Sequence, residues 1–155
     1  MDMDFTGPYA LKRRPLVNGS SESKSQYSAD EEVAEFAEEI MLAAVAFHKL
    51  HLKVKDLGSY AAHVALNELY DALPGHADGL IEGYQGAVER IVECKDENKC
   101  AKTLNSVEDA LSYIRELVDE TCELQAMIPY SEIVNELDTL KSSLNSAKYK
   151  LKFLK

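Results

Sequence analysis

Several features that would place a protein outside the cell or in a membrane are missing from this sequence. No apolar run approaches the roughly eighteen residues of a membrane span, and the N-terminus lacks the basic-then-apolar order of a signal peptide. The three cysteines, Cys94, Cys100 and Cys122, fit a reducing compartment better than a disulfide framework. Cys94 and Cys100 could pair or hold a soft metal, but two thiols make a poor zinc site, and free thiols are the preferred interpretation. The sequence predicts a cytoplasmic protein with no membrane partner.

The sequence also lacks the motifs of several common chemistries. It has no glycine-rich phosphate loop and no Ser/His/Asp or Cys/His arrangement that would indicate nucleophilic catalysis. No Glu-x-x-His occurs, which excludes the di-iron site that some carboxylate-rich bundles build inside one subunit. Any metal chemistry must therefore use a different arrangement of ligands.

Positive charge is in short supply. The chain has 17 Lys and Arg against 27 Asp and Glu, which gives a formal net charge of −10. Affinity for nucleic acid depends on neutralising phosphates, so this charge disfavours a nucleic-acid partner for the body of the protein. An acidic surface can simply keep a protein soluble, but an acidic pore or cavity also attracts cations.

Apolar residues recur at helical spacing through most of the chain and predict one all-α domain. Residues 1–27 are polar and Ser-rich, and we expect them to form a flexible N-terminal tail. Residues 28–155 are predicted to form a four-helix bundle, with apolar seams in each helix that face a common core. The predicted helices begin at Ser28, Ser59, Ser106 and about Ser131.

Two features of the predicted bundle depart from a simple up-and-down arrangement. The segment Ala87–Asn105 is long enough to cross the whole bundle, so helices two and three are expected to run parallel, and the crossover is expected to carry an extra helical turn or two. Pro74 removes a backbone hydrogen bond in the middle of helix two and is expected to kink or break that helix.

Histidines and acidic residues are spaced so that some of them share a helix face. His63 and Asn67 are four residues apart, as are Asp78 and Glu82, and a turn before helix two would return His51 towards His63. His63 and Asp78 are fifteen residues apart, which is about 22 Å along a helix. They cannot share one small site within a subunit, but two copies related by a two-fold axis could bring them together.

These five residues carry a resemblance to a known family. His51, His63, Asn67, Asp78 and Glu82 lie at the spacings of the Dps-like mini-ferritins of the ferritin-like superfamily, and the chain also looks like small Dps-like proteins of bacteriophages. The resemblance implies a ferritin-like bundle that assembles through two-fold dimers into a dodecamer. It also implies Fe²⁺ bound between subunits by these residues, oxidised by peroxide and stored as mineral in the shell.

The chain departs from the family pattern at three places. Asn67 stands where the family has an acid, Leu52 where it has a tryptophan, and Pro74-Gly75 interrupts a helix that the family keeps intact. A neutral amide oxygen is a weaker ligand than a carboxylate for a divalent ion, so we expect ferroxidase activity to be reduced.

Two alternatives to iron storage remain open on the sequence. One is a catalytically silent Dps-like assembly protein, located in the host cytoplasm or, if phage-encoded, in a virion. The other is a protein that binds DNA through Lys12, Arg13, Arg14 and Lys24 of the tail, although four cations support only weak, salt-sensitive binding.

Overall fold

Four α-helices account for the regular structure in the described part of the chain. The structure, a computed structural model, describes residues 22–93 and 98–154, with side chains from Ala29 onward in the first range. The helices are α1 (Glu22–His51), α2 (Ser59–Val88), α3 (Val107–Met127) and α4 (Ser131–Phe153). No strand occurs in the described ranges, and no helix in them is long and apolar enough to cross a membrane. The predicted all-α four-helix bundle is confirmed.

The first helix is longer than the sequence predicts. It begins at Glu22, six residues before the expected start at Ser28, so residues 22–27 belong to α1 and not to the tail. Residues 1–21 lie outside the described part of the chain, and with them Lys12, Arg13 and Arg14. Lys24 falls within α1, but its side chain is also outside what the structure describes.

The second helix continues through its proline. α2 runs from Ser59 to Val88 without interruption, so the expectation of a break at Pro74 is wrong. Pro74 and Gly75 are exposed, whereas Leu73 and Ala77 on either side are fully buried. Burial of these neighbours holds the backbone in the helix, although the proline still removes one hydrogen bond.

Ion pairs and hydrogen bonds between the elements show in which direction each helix runs. α2 ends beside the start of α1, where Arg90 donates to Asp30 from Nε (2.9 Å) and Nη2 (2.7 Å), and Tyr84 donates to the same carboxylate (2.8 Å). The connection then follows α1: Lys99 pairs with Glu35 (3.6 Å). The two helices therefore form an antiparallel hairpin, and the crossover starts at the end of the bundle opposite the α1–α2 turn.

The crossover reaches the turn end and reverses into α3. Lys53, just after α1, donates to the carbonyl of Leu104 (2.8 Å), and Ser106 caps α3 through a reciprocal capping box with Asp109. Lower on α3, the buried Tyr113 stacks on Phe47 of α1 with ring centroids 5.4 Å apart. α3 thus runs beside α1 from the end with the α1–α2 turn towards the opposite end of the bundle, parallel to α2.

The last helix completes the bundle against α2 and α3. Tyr130 meets Tyr84 edge-on near the crossover end (6.1 Å), and His76 and Ser143 are hydrogen-bonded (2.9 Å) further along. α4 is therefore antiparallel to α2. α1 packs on α2 and α3, and α4 packs on the same two helices, so α2 and α3 occupy one diagonal of the bundle.

The crossover contains no helical turn in its described part. Residues 89–93 and 98–106 are irregular, so the predicted extra turn is wrong there, while residues 94–97 lie outside the described chain. Glu89 adopts a left-handed conformation (φ 56°) that ends α2, and Gln85 accepts a hydrogen bond from the Val92 amide (3.0 Å). Contacts with α1 stabilise this segment, because its described residues form no helix of their own.

Candidate functional site

A pair of histidines meets where α1 leads into α2. Asp56 (φ 77°) and Gly58 (φ 83°) take left-handed conformations in the connecting turn, which reverses the chain within a few residues. His51 at the end of α1 is then brought against His63 on the first turns of α2. Their Nε2 atoms are 3.0 Å apart, and the rings stack with centroids 3.8 Å apart.

Two hydrogen bonds connect the histidine rings to each other and to the backbone. His63 Nδ1 lies 3.3 Å from the carbonyl oxygen of His51, which can only accept, so His63 Nδ1 is the donor of this bond. In the contact between the two Nε2 atoms, one ring donates the proton and the other accepts it. The remaining nitrogen, His51 Nδ1, is buried and has no hydrogen-bond partner among the described residues.

The environment keeps His51 neutral. Its side chain is 7% exposed, and burial lowers the pKa of this imidazole, with further lowering by the neighbouring His63 and His48. Asp71 opposes the shift but does not overcome it. A neutral imidazole is the form that binds a transition-metal ion.

The distance between the two nitrogens suits a single bound ion. With metal–imidazole bonds of about 2.1 Å, two nitrogens lie about 3.0 Å apart on an octahedral ion and about 3.4 Å apart on a tetrahedral one. The Nε2 atoms of His51 and His63 have the octahedral separation, but their rings are stacked and must turn for both lone pairs to face one ion. A divalent ion could therefore bind both nitrogens once it displaces the proton that they share, and binding would release that proton. Imidazole ligands suit Fe, Zn, Cu and Ni.

An aromatic and polar layer surrounds the histidine pair. Tyr70 lies edge-on to His51 (5.2 Å between centroids) and stacks on the exposed His48 (4.1 Å). The Tyr70 hydroxyl donates to Asn67 Oδ1 (2.8 Å), and Asn67 Nδ2 donates to Asp71 Oδ2 (2.9 Å). Both ends of the Asn67 amide are thus occupied by neighbours on α2.

The sequence argument missed three members of this layer. His48, Tyr70 and Asp71 lie outside the five positions that the spacing pattern selects. The signal was present, since Asp71 continues the four-residue spacing of His63 and Asn67, and Tyr70 is three residues after Asn67. Asp71 supplies a carboxylate one turn beyond the position where the family pattern has its acid.

The two remaining predicted ligands do not reach the histidines within one chain. Asp78 and Glu82 are both exposed on the same helix as His63. Because α2 is continuous, the fifteen residues from His63 to Asp78 span about 22 Å. Across residues 22–93 and 98–154, no group of three or more His, Cys, Asp or Glu side chains forms a metal site in a single chain.

A cluster of glutamates lies between α1 and α3, and two lysines neutralise part of its charge. Its groove has a volume of about 470 Å³ and receives two lysines of the crossover. Lys102 pairs with Glu116 (2.6 Å) and approaches Glu39 (3.9 Å). Burial, and next the charge of Glu39, raise the pKa of Glu120. These contacts attach the crossover to the bundle, and among the described residues no three acidic side chains of this groove form a metal site.

The fourth histidine and the described thiols lie away from the pair. His76 faces α4, where it is bonded to Ser143, and burial lowers its pKa while Glu136 opposes the shift. Cys100 and Cys122 are free and exposed, and Cys94 lies outside the described residues.

Comparisons with known proteins give one match. Neither a search of curated proteins nor a search of solved structures found a protein similar to this chain. A model of a protein family of unknown function, DUF5856, matches residues 51–151. The match begins at His51 and contains the other four predicted ligands, together with α2, the crossover, α3 and nearly all of α4. Since it covers well over half of the sequence, the chain belongs to the DUF5856 family.

Proposed function

We propose that this protein is a Dps-like member of the ferritin-like superfamily that binds Fe²⁺ between two copies of the chain. The observation that carries the proposal is the contact of His51 and His63, whose Nε2 atoms lie 3.0 Å apart, with His51 buried and the pKa of its imidazole lowered by that burial. Asp78 and Glu82 of a second copy would complete the set of ligands. Two neutral nitrogens and two carboxylates suit a divalent first-row metal ion.

The course of the chain supports the ferritin-like part of the proposal. Ferritin-like bundles have one long crossover, and their second and third helices run parallel. Here the segment between Val88 and Val107 follows α1 from one end of the bundle to the other, and α2 and α3 run in the same direction.

An exposed apolar stripe supports assembly through the α1–α2 hairpin. Met41 (43% exposed) and Val45 (45%) lie on the outer side of α1, and Leu52 (72%) follows directly after its end, in line with His48. Spacings of three and four residues place them on one helix face beside the histidine pair. Burial of that stripe against a symmetry-related copy would bring the second subunit to the site. Two-fold dimers of this kind would then build the dodecamer.

Asn67 sets the expected strength of the iron chemistry. In the reaction two Fe²⁺ ions each lose one electron, and one H₂O₂ takes up two electrons and two protons to form two water molecules. Fe³⁺ depends on anionic oxygen more than Fe²⁺ does, and Asn67 offers a neutral oxygen that Tyr70 already occupies. The protein therefore binds Fe²⁺, and peroxide oxidises the bound iron slowly.

The hydrogen bonds of Asn67 favour a second candidate function. Tyr70 donates to the Asn67 amide and Asp71 accepts from it, so this side chain stabilises α2 and does not offer a free metal ligand. A silent Dps-like assembly unit would keep the bundle and the apolar stripe without oxidising iron. A virion component of a bacteriophage is one setting for such a unit.

An anaerobic Fe²⁺ titration followed by addition of peroxide separates the two functions. The iron-binding proposal predicts saturable binding that His63→Ala weakens at least tenfold, followed by a slow rise in ferric absorbance. His76→Ala is the matched control, because it removes a half-buried histidine that contacts Ser143 on the other side of α2. If Fe²⁺ does not bind, or if both variants bind it equally, the silent assembly function replaces the proposal.

A further inference from the structure

The final turns of α4 form a basic region on an acidic protein. Residues 131–140 contain three acidic residues and no basic ones, whereas residues 141–154 contain four lysines and no acidic residue. The negative end of the helix dipole favours cations in the last turn, where Lys150 and Lys152 lie. That effect does not extend to Arg115, which lies in the middle of α3 and faces the same groove.

The groove between α3 and α4 brings together cations that pair with no acidic residue of the described chain. It has a volume of about 390 Å³ and is lined by Arg115, Asn145, Lys148, Tyr149, Lys152 and Phe153. In the described part of the chain, none of its three cations forms an ion pair. Most other described cations do pair with acids: Arg90, Lys99, Lys102, Lys141 and Lys150. An acidic protein that leaves these three cations together has a surface complementary to an anion.

Two exposed aromatic rings lie beside these cations. Tyr149 (56% exposed) and Phe153 (62%) are one turn apart, with centroids 5.6 Å from each other and an interplanar angle of 43°. Lys152 Nζ lies 5.3 Å from the centre of the Phe153 ring. Both rings remain largely open to solvent, so each has a free face on which a flat apolar group could stack.

We infer that this groove binds single-stranded nucleic acid. Phosphates would contact Arg115, Lys148 and Lys152, and unpaired bases would stack on Tyr149 and Phe153. The exposed Asn145 amide lines the same groove. Cations along a groove combined with exposed aromatic rings form the usual site for single strands. The inference is independent of the iron proposal, because the histidine pair lies on α1 and α2.

The size of the groove favours a single strand over a duplex. Base stacking needs unpaired bases, and a B-form duplex offers none to a pair of surface rings. Specific duplex binding uses about six to ten phosphate contacts, whereas the groove supplies three cations on a chain of net charge −10. Three phosphate contacts on a single strand predict a slope of about −2 for the logarithm of the binding constant against that of the salt concentration.

Fluorescence anisotropy of the full chain with a short labelled oligothymidylate tests the inference. We expect binding at about 50 mM salt, weaker binding of a duplex, and the shallow salt slope given above. Lys148→Glu and the double variant Tyr149→Ala/Phe153→Ala should each lose at least tenfold in affinity. Lys49→Glu repeats the charge change outside the groove, Tyr60→Ala removes an exposed ring on α2, and each should stay within twofold.

Four results would overturn the inference. The first is no binding of the oligonucleotide, and the second is equal or tighter binding of the duplex. The third is binding that survives Lys148→Glu but is lost when Lys12, Arg13 and Arg14 are replaced by alanine, which would assign it to the N-terminal segment. The fourth is binding of the wild-type chain to anionic phospholipid vesicles, lost in the groove variants, with none to the oligonucleotide. Circular dichroism and a melting curve establish that each variant is folded.

Discussion

Replacing Asn67 by aspartate should affect stability and metal binding in opposite directions. The amide nitrogen of Asn67 lies 2.9 Å from Asp71 Oδ2, so Asn67→Asp replaces a hydrogen bond by a contact between two carboxylates. Loss of an exposed hydrogen bond to a charged group costs about 1 kcal/mol, and like charges four residues apart on a helix cost up to about 0.5 kcal/mol more. The metal-free variant should therefore be less stable by about 1–1.5 kcal/mol. For a chain of 155 residues this lowers Tm by about 2–6 °C.

A metal ion should reverse that loss, because the second carboxylate adds negative charge at the site. Thermal unfolding with and without Co²⁺, which resists oxidation, measures both effects in one assay. Since a ligand that binds the folded state stabilises it according to its affinity, the rise in Tm with Co²⁺ should be larger for Asn67→Asp than for the wild type. Fe²⁺ oxidation by the variant should also be faster.

The double variant Asn67→Asp/Asp71→Asn is the matched control. It restores an amide–carboxylate pair in the reverse direction and keeps the net charge at −10, so the metal-free Tm should recover. The carboxylate at position 67 is retained, and with it part of the gain in metal affinity. If the double variant is as unstable as Asn67→Asp, or if neither variant gains more from Co²⁺ than the wild type does, this account of position 67 is wrong.

Three further predictions concern the stability of the bundle. Asp30→Ala should lower the free energy of unfolding by about 2 kcal/mol in urea titrations, because Arg90 and the buried Tyr84 hydroxyl lose their acceptor, whereas Asp30→Asn should cost less. Pro74→Ala should raise stability by about 1–2 kcal/mol, since it restores an amide donor in a continuous helix, and an unchanged or lower urea midpoint would argue against it. Burial lowers the pKa of His76 below the ordinary value of a histidine, so the unfolded chain binds the proton more readily and stability should fall as the pH drops from about 7 to 5. His76→Gln should reduce that fall, and an identical pH profile for both proteins would contradict the assignment.

The helices could be predicted from the sequence because their signals are local. The apolar periodicity located all four, and the predicted start at Ser106 is correct because Ser106 caps α3 in a capping box with Asp109. The predicted break at Pro74 is wrong because it takes account only of the missing hydrogen bond. Burial of Leu73 and Ala77 on either side keeps the helix continuous. The local signal was correct, but burial in the core outweighed it.

The conformation of the crossover depends on contacts that the sequence does not reveal. Arg90 bonds to Asp30, which lies sixty residues earlier, and Lys53 bonds to the carbonyl of Leu104, fifty-one residues later. Neither pair has a spacing rule that would select it in advance. The prediction of a helical turn in this segment considered only its local pattern, and these distant contacts hold it in an irregular path.

The candidate site was predictable to the extent that it follows helix and turn geometry. The turn before Ser59 brings His51 to His63, and fifteen residues of continuous helix keep His63 apart from Asp78. The stacking of His48 on Tyr70 was not predictable, because it depends on how α1 and α2 are rotated against each other.

Complementation between two inactive variants tests the central claim most directly. One variant, His51→Ala/His63→Ala, keeps the acidic residues, and the other, Asp78→Asn/Glu82→Gln, keeps the histidines. If each site takes histidines from one copy and carboxylates from another, neither variant alone binds Co²⁺ tightly. Co-expressed chains form mixed dimers with one intact site and one doubly defective site. We predict that tight Co²⁺ binding, measured by the cobalt absorption spectrum, returns in the co-expressed protein and is absent from each variant alone. Tight binding by the acid-deficient variant alone, or no recovery in co-expressed chains that demonstrably associate, would contradict a site shared between subunits.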